Sequence, residues 1–260
     1  MFSKYSFKVK AAGTAIAVAA IVSSAAAVYA NHSWGLYHWG RTSNPFALKL
    51  GDNVSTAWDA YLSEASLDWS ASSVLDTEVV AGNAGIPKRC SATSGRVEVC
   101  SAKYGYNGWL GVASIWASNN HIVQGTVKVN DSYFTTPTYN KPEWRRLVMC
   151  QEIGHEFGLD HQDENFDNPN LGSCMDYTND PLTNQHPNAH DYEQLETIYN
   201  SHLDTTSTVG QTVLGSGRVN AADAAEWGQS VREDGKGRNS LYVRDLGNGE
   251  KVFTFILWAE

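Results

Sequence analysis

Beyond its first thirty residues, the 260-residue chain arranges its apolar positions in two rhythms. Val54, Trp58, Tyr61, Leu62, Ala65 and Trp69 recur at helical spacing behind Asn53, which can cap them, and predict an amphipathic helix. Strand-like runs flank it at residues 46–50 and 74–80. Strand, helix and strand at this spacing imply a crossover onto a partly parallel sheet. Three more strand-like runs, 96–100, 109–116 and 122–129, are separated by Gly and Asn breaks.

A second helix starts with Asn140 and Glu143 in capping-box spacing, with Pro142 inside the first turn. Trp144, Leu147, Val148, Gln151 and His155 share one stripe, and Met149, Ile153 and Phe157 make another. A helix apolar on most sides belongs at the centre of a fold, and Gly158 is its natural stop. A third helix is expected over 188–202, with Tyr192, Leu195, Ile198 and Tyr199 facing inward. Residues 205–217 are rich in Thr, Ser and Gly and read as a linker or long loop. A short alanine-rich helix near 221–227 precedes two strand-like runs, 241–244 and 252–258, around the turn Gly247-Asn248-Gly249. Those two runs form a hairpin. The segment 205–260 is too short to be expected to fold alone.

Composition places this fold outside the cell. Lys4, Lys8 and Lys10, an apolar run over 11–27 and small residues around Val28-Tyr29-Ala30 read as a secretory signal peptide. The run is short for a bilayer span and contains Gly13, Thr14, Ser23 and Ser24, so no stable membrane association is expected once the leader is cleaved. The mature chain is expected to start near Asn31. Without the three leader lysines, 16 basic residues face 28 acidic ones, a net charge of −12 that excludes nucleic acid as a partner. Four cysteines in an exported chain imply two disulfides, with three possible pairings. Cys90 with Cys100 is favoured because it closes a short hairpin-like loop. Trp34, Trp39, Trp58, Trp69, Trp109 and Trp116 are read as core.

The chemistry concentrates in Gln151-Glu152-Ile153-Gly154-His155-Glu156-Phe157-Gly158-Leu159-Asp160-His161. On a helix, residues 151 and 155 project from the same face one turn apart, with Glu152 beside them. Gly158 lets the chain turn sharply and bring His161 back to the same point. Two imidazoles, a third polar group and a carboxylate suit a catalytic zinc, which lowers the pKa of water to roughly 7 while the carboxylate takes the proton.

This spacing resembles the metzincin metallopeptidases, whose signature H-E-x-x-H-x-x-G-x-x-H is followed by a methionine turn. Glu152, His155, Gly158 and His161 fall on four of its five positions, and Ser173-Cys174-Met175-Asp176-Tyr177 is similar to the turn. The resemblance spans residues 33–203. It implies an α/β (α+β) fold: a twisted, mostly parallel sheet with an active-site helix over 31–204, followed by the small C-terminal hairpin extension over 205–260. It further implies His155 and His161 as zinc ligands, Glu152 as general base, Met175 as an apolar floor and Tyr177 as a movable further ligand or a pocket wall. On that layout a Cys150–Cys174 disulfide would tie the helix to the turn. The substrate would be a protein or peptide. No room remains between Asn31 and Gln151 for a sizeable propeptide.

One position departs from the signature. Gln151 stands where it has histidine, and an amide oxygen is a poorer zinc donor than imidazole. Gln151 completes the shell, or Asp163, Glu164 or Tyr177 does, or the fold serves extracellular binding rather than hydrolysis. The oxygen-rich run 160–170 could hold calcium but lacks EF-hand spacing and reads as a solvated loop. His32, His38, His121, His186, His190 and His202 carry no motif around them and are read as surface or ordinary core residues.

Overall fold

The structure, a computed structural model, describes Met1 and residues 31–212, 219–221 and 223–260. The expected leader cleavage site and residues 213–218 of the expected linker lie outside the described residues. The elements follow in the order β1 (His38–Trp39), β2 (Phe46–Asn53), α1 (Asp59–Trp69), β3 (Leu75–Ala81), β4 (Val97–Ala102), β5 (Trp109–Ser118), β6 (His121–Asn130), α2 (Pro142–His155), α3 (Ala189–Tyr199), β7 (Gln229–Glu233), β8 (Asn239–Gly247) and β9 (Glu250–Trp258).

The nine strands among the described residues join one mixed sheet in the order β3-β2-β4-β6-β5-β9-β8-β7, with β1 added beside the start of β6. The strand–helix–strand reading of β2, α1 and β3 holds, and β2 and β3 pair in parallel from Phe46↔Leu75 to Asp52↔Ala81. The expected mostly parallel sheet needs correction. Pairings of β1 with β6, β2 with β3, β2 with β4 and β4 with β6 are parallel, but β5 with β6, β5 with β9, β8 with β9 and β7 with β8 are antiparallel. The antiparallel half comes largely from the C-terminal hairpin, which continues the same sheet: β9 runs along β5 from Trp109↔Trp258 to Ser118↔Glu250. Strand β7 was not foreseen, because its residues are polar and mostly exposed and show no alternation to read.

Two helix starts also differ from expectation. Asn53 does not cap α1; its amide donates to Glu98 Oε2 at 2.7 Å and closes β2 instead. The helix begins at Asp59 after Trp58, whose indole donates to Asp131 Oδ1 at 2.7 Å. Asn140 does not cap α2 either, since its Oδ1 accepts from Arg145 at 3.1 Å. Pro142 opens that helix and holds Lys141 extended, as a residue before proline prefers. In α3 the capping box is real, formed by Asn188 and Asp191. The alanine-rich segment near 221–227 forms only a 3-10 turn, Ala224–Glu226.

Both faces of the sheet are covered. On one, α1 and α2 bury Leu62, Trp69, Leu147, Val148 and Ile153 against Leu50, Val99, Ile115 and Val127. On the other, Trp227 packs on Trp109, Val112 and Ile256. All six tryptophans read as core are buried. Helix α2 lies on the middle of the sheet, and its last carbonyls, which have no partner within a helix, are met from outside. The Trp34 indole donates to His155 O at 3.1 Å, the Trp39 indole to Glu156 O at 2.8 Å and the Tyr199 hydroxyl to Phe157 O at 2.8 Å. These bonds fix the end of the helix that carries His155.

Cys90 pairs with Cys100 and Cys150 with Cys174. Two disulfides fit an oxidising compartment. Among the described residues, no helix is long and apolar enough to cross a membrane. The Cys150–Cys174 bridge spans a sequence separation of 24, and in the chain-entropy model such a loop stabilises by about 3 kcal/mol. Replacing both cysteines with alanine should lower the unfolding free energy by about that amount. Urea unfolding measures it; an unchanged midpoint would mean that packing alone holds the helix to the turn.

Candidate metal centre

Gln151 and His155 lie one turn apart near the C-terminal end of α2, and both are buried. After His155 the chain reverses at Gly158, whose φ of +95° is one that L side chains rarely adopt. A Cβ there would also sit 2.6 Å from Tyr37 O. The reversal returns His161 to His155, with ring centroids 4.5 Å apart and the two Nε2 atoms 3.0 Å apart.

Hydrogen-bond partners decide which ring nitrogens carry protons. His155 Nδ1 lies 2.9 Å from Leu159 O, and a carbonyl can only accept, so Nδ1 carries the proton. His161 Nδ1 lies 2.8 Å from Glu164 Oε1, and the carboxylate makes it the protonated nitrogen in the same way. Burial first, and then His161, push the His155 pKa well below its usual value, which keeps that ring neutral. His155 Nε2 is therefore left as a lone pair facing His161 Nε2. Two donors about 2.05 Å from a tetrahedral zinc stand about 3.3 Å apart, close to what is found.

Gln151 supplies a third donor. Its amide nitrogen donates to Cys174 O at 2.9 Å, while its Oε1 is buried without a hydrogen-bond partner. A buried acceptor left alone is costly and calls for a partner. The other groups considered for this role are already engaged. Glu164 accepts from His161, Asp163 accepts from Asn165 and Asn168, and the Tyr177 hydroxyl donates to Ile256 O at 3.2 Å. The two imidazoles thus suit a divalent cation, with Gln151 Oε1, one helical turn from His155, as the unengaged candidate for a third donor and Glu164 orienting His161.

Glu152 packs under the β5 backbone, where a Cβ on Gly111 would overlap its carboxyl group. Neither carboxyl oxygen has a hydrogen-bond partner of good geometry. Burial raises its pKa well above the usual carboxylate range, with the Ala113 amide opposing. Met175 lies beneath the helix, its Sδ 2.5 Å from where a Cβ on Gly154 would stand. The Tyr177 ring is 4.2 Å from that of His161, and burial raises its phenol pKa well above normal.

Two contributions came from outside the motif. Phe255 of β9 stacks on His155 at 4.1 Å with 10° between the rings, and closes the site. Arg232 of β7 pairs with Asp160 and Glu164, holding the carboxylate that orients His161. Both lie in the C-terminal extension, and the spacing of residues 151–161 gives no signal for either. The run 160–170 spends much of its oxygen on internal donors, as the bonds of Asp160, Asp163 and Glu164 show.

No protein-family model matches the chain, and no curated protein matches its sequence.

Glu164→Gln keeps the shape and removes the charge that orients His161. Zinc affinity should fall 10- to 100-fold, the usual cost of losing such a partner. Competition with a chelating dye reads it, and an unchanged affinity would show that Glu164 has no part in the site. A second prediction concerns Lys128 of β6, fully buried, whose pKa burial lowers from 10.5 to about 7, with Glu156 opposing. Between those pH values the unfolded chain binds more protons at this residue than the folded one, so its contribution to stability rises with pH. Urea unfolding from pH 7 to 9 should show a shallower rise, or a steeper fall, for Lys128→Met than for the wild type. Parallel profiles would contradict the shift.

Proposed function

We propose that this chain is an exported zinc-dependent endopeptidase of metzincin type. The observation that carries the reading is the pair of imidazole Nε2 atoms 3.0 Å apart, one turn from a buried, unpartnered amide oxygen and beside a buried carboxyl group. A zinc ion bound there supplies Lewis acidity, polarising a peptide carbonyl and acidifying water. The other steps belong to the protein. Gln151, His155 and His161 hold the cation, and Met175 closes the space beneath α2. Glu152 takes the proton from water and passes it to the leaving amine. Burial raises the Glu152 pKa, which makes the ionised carboxylate a stronger base than a free one. Tyr177, kept as a phenol by burial, donates a hydrogen bond. The leader-like residues 1–30 and the two disulfides support export.

The site is closed in this conformation. His155 is 1% exposed and His161 8% exposed. An extended peptide binds most readily by adding to a free sheet edge. The edge of β5, above Glu152, is already taken by β9. Phe255 therefore has to leave His155 before a peptide can reach the cation. This cover favours a second reading, in which the chain is a catalytically silent relative that serves extracellular binding.

Hydrolysis of an unstructured protein substrate separates the two. Activity should vanish with a chelator, return with zinc and fall by about 10²- to 10⁴-fold in Glu152→Gln, the usual worth of a positioned base. Phe255→Ala should raise it. Bound zinc with no turnover in either wild type or Phe255→Ala would select the binding module.

A further inference from the structure

We propose that His38, His202 and Asp204, with His121 hydrogen-bonded to the carboxylate, form a second metal centre built for a zinc-class transition ion. The four residues come from three separate parts of the chain: β1, the start of β6, and the segment after α3. The donor atoms of His38, His202 and Asp204 nevertheless lie within 4.8 Å of one another. His38 Nε2 lies 3.2 Å from His202 Nε2 and 3.5 Å from Asp204 Oδ1, and His202 Nε2 lies 3.7 Å from the same oxygen. His121 Nε2 approaches that oxygen from another side at 3.1 Å. Each separation is within a few tenths of an ångström of the roughly 3.3 Å expected between donors of a tetrahedral zinc.

Outer contacts prepare these donors. His38 Nδ1 lies 2.8 Å from Leu36 O, which requires the proton on Nδ1 and leaves Nε2 as a lone pair. Asp204 is anchored through its other oxygen, which accepts from the Arg41 backbone N–H at 3.1 Å and its guanidinium at 2.9 Å. Arg41 already balances that charge, so three imidazoles around Oδ1 are not needed to neutralise it. A cation between His38, His202 and Asp204 would use all three donors. Two imidazole nitrogens and one carboxylate oxygen select zinc or a neighbouring transition metal over calcium or magnesium.

The site has a way in. A cavity of about 300 Å³, lined by Leu36, His38, Ile198 and His202 among others, reaches the cluster from solvent. Bound there, the ion would staple the N-terminal segment and the end of α3 to the sheet. This centre is independent of the one at His155 and His161.

Zinc stoichiometry of the full chain tests it, measured by elemental analysis after chelator stripping and reloading. His161→Ala, which disables the first centre, should still bind one zinc. That zinc should disappear in His161→Ala combined with His121→Ala and His202→Ala. His202 is exposed and His121 part-exposed, so these changes should not unfold the chain; on the wild-type background the His121→Ala, His202→Ala pair should bind one equivalent fewer than the wild type. Stoichiometry indifferent to His121 and His202 on both backgrounds would overturn the proposal. Failure of the first centre reads differently, as equal zinc in wild type and His161→Ala.

Discussion

Two imidazole nitrogens face each other across 3.0 Å, and each ring spends its proton on the far side, one on Leu159 O and the other on Glu164. Nitrogens so placed in a buried site need a proton or a metal cation between them, and much of the surrounding structure holds them there. Gly158 turns the chain back, and Trp34, Trp39 and Tyr199 complete the carbonyls at the end of α2, so the helix cannot fray and let His155 relax. The Cys150–Cys174 bridge fixes the turn whose Cys174 carbonyl orients the Gln151 amide. Removing any of these supports acts on the metal through geometry rather than through contact.

The same burial that sharpens the site also shuts it. Inside a protein, electrostatic interactions strengthen as water is excluded, and unpaired polar groups become costly for the same reason. Gln151 Oε1 and both Glu152 oxygens bear that cost. Strand β9 imposes it by extending the sheet across the β5 edge and laying Phe255 flat on His155. The C-terminal extension is therefore part of the site, since it contributes the cover and, through Arg232, the tether of Glu164.

What could be read from sequence depended on distance along the chain. The pairing of Gln151 with His155 and the return of His161 were legible, because helical spacing and one glycine determine them locally. The β2–α1–β3 crossover and the β8–β9 hairpin were legible in the same way, from periodicity and turn residues. Asn53 and Asn140 misled because an asparagine before an apolar stripe can spend its side chain elsewhere: Asn53 on Glu98, and Asn140 on Arg145. Phe255 and Arg232 carried no signal, since their partners lie roughly 70–100 residues away across a sheet order not determined by local pattern. His38, His121 and His202 looked like ordinary histidines for that reason. Only the folded chain brings them to Asp204.

The account stands on a cation seated among Gln151, His155 and His161. Crystals of the zinc-loaded protein, measured at the zinc absorption edge, show directly where the metal goes. An anomalous peak bonded to both Nε2 atoms and to Gln151 Oε1 is the predicted result. A map with no peak between those two histidines, whatever it holds elsewhere, would contradict it.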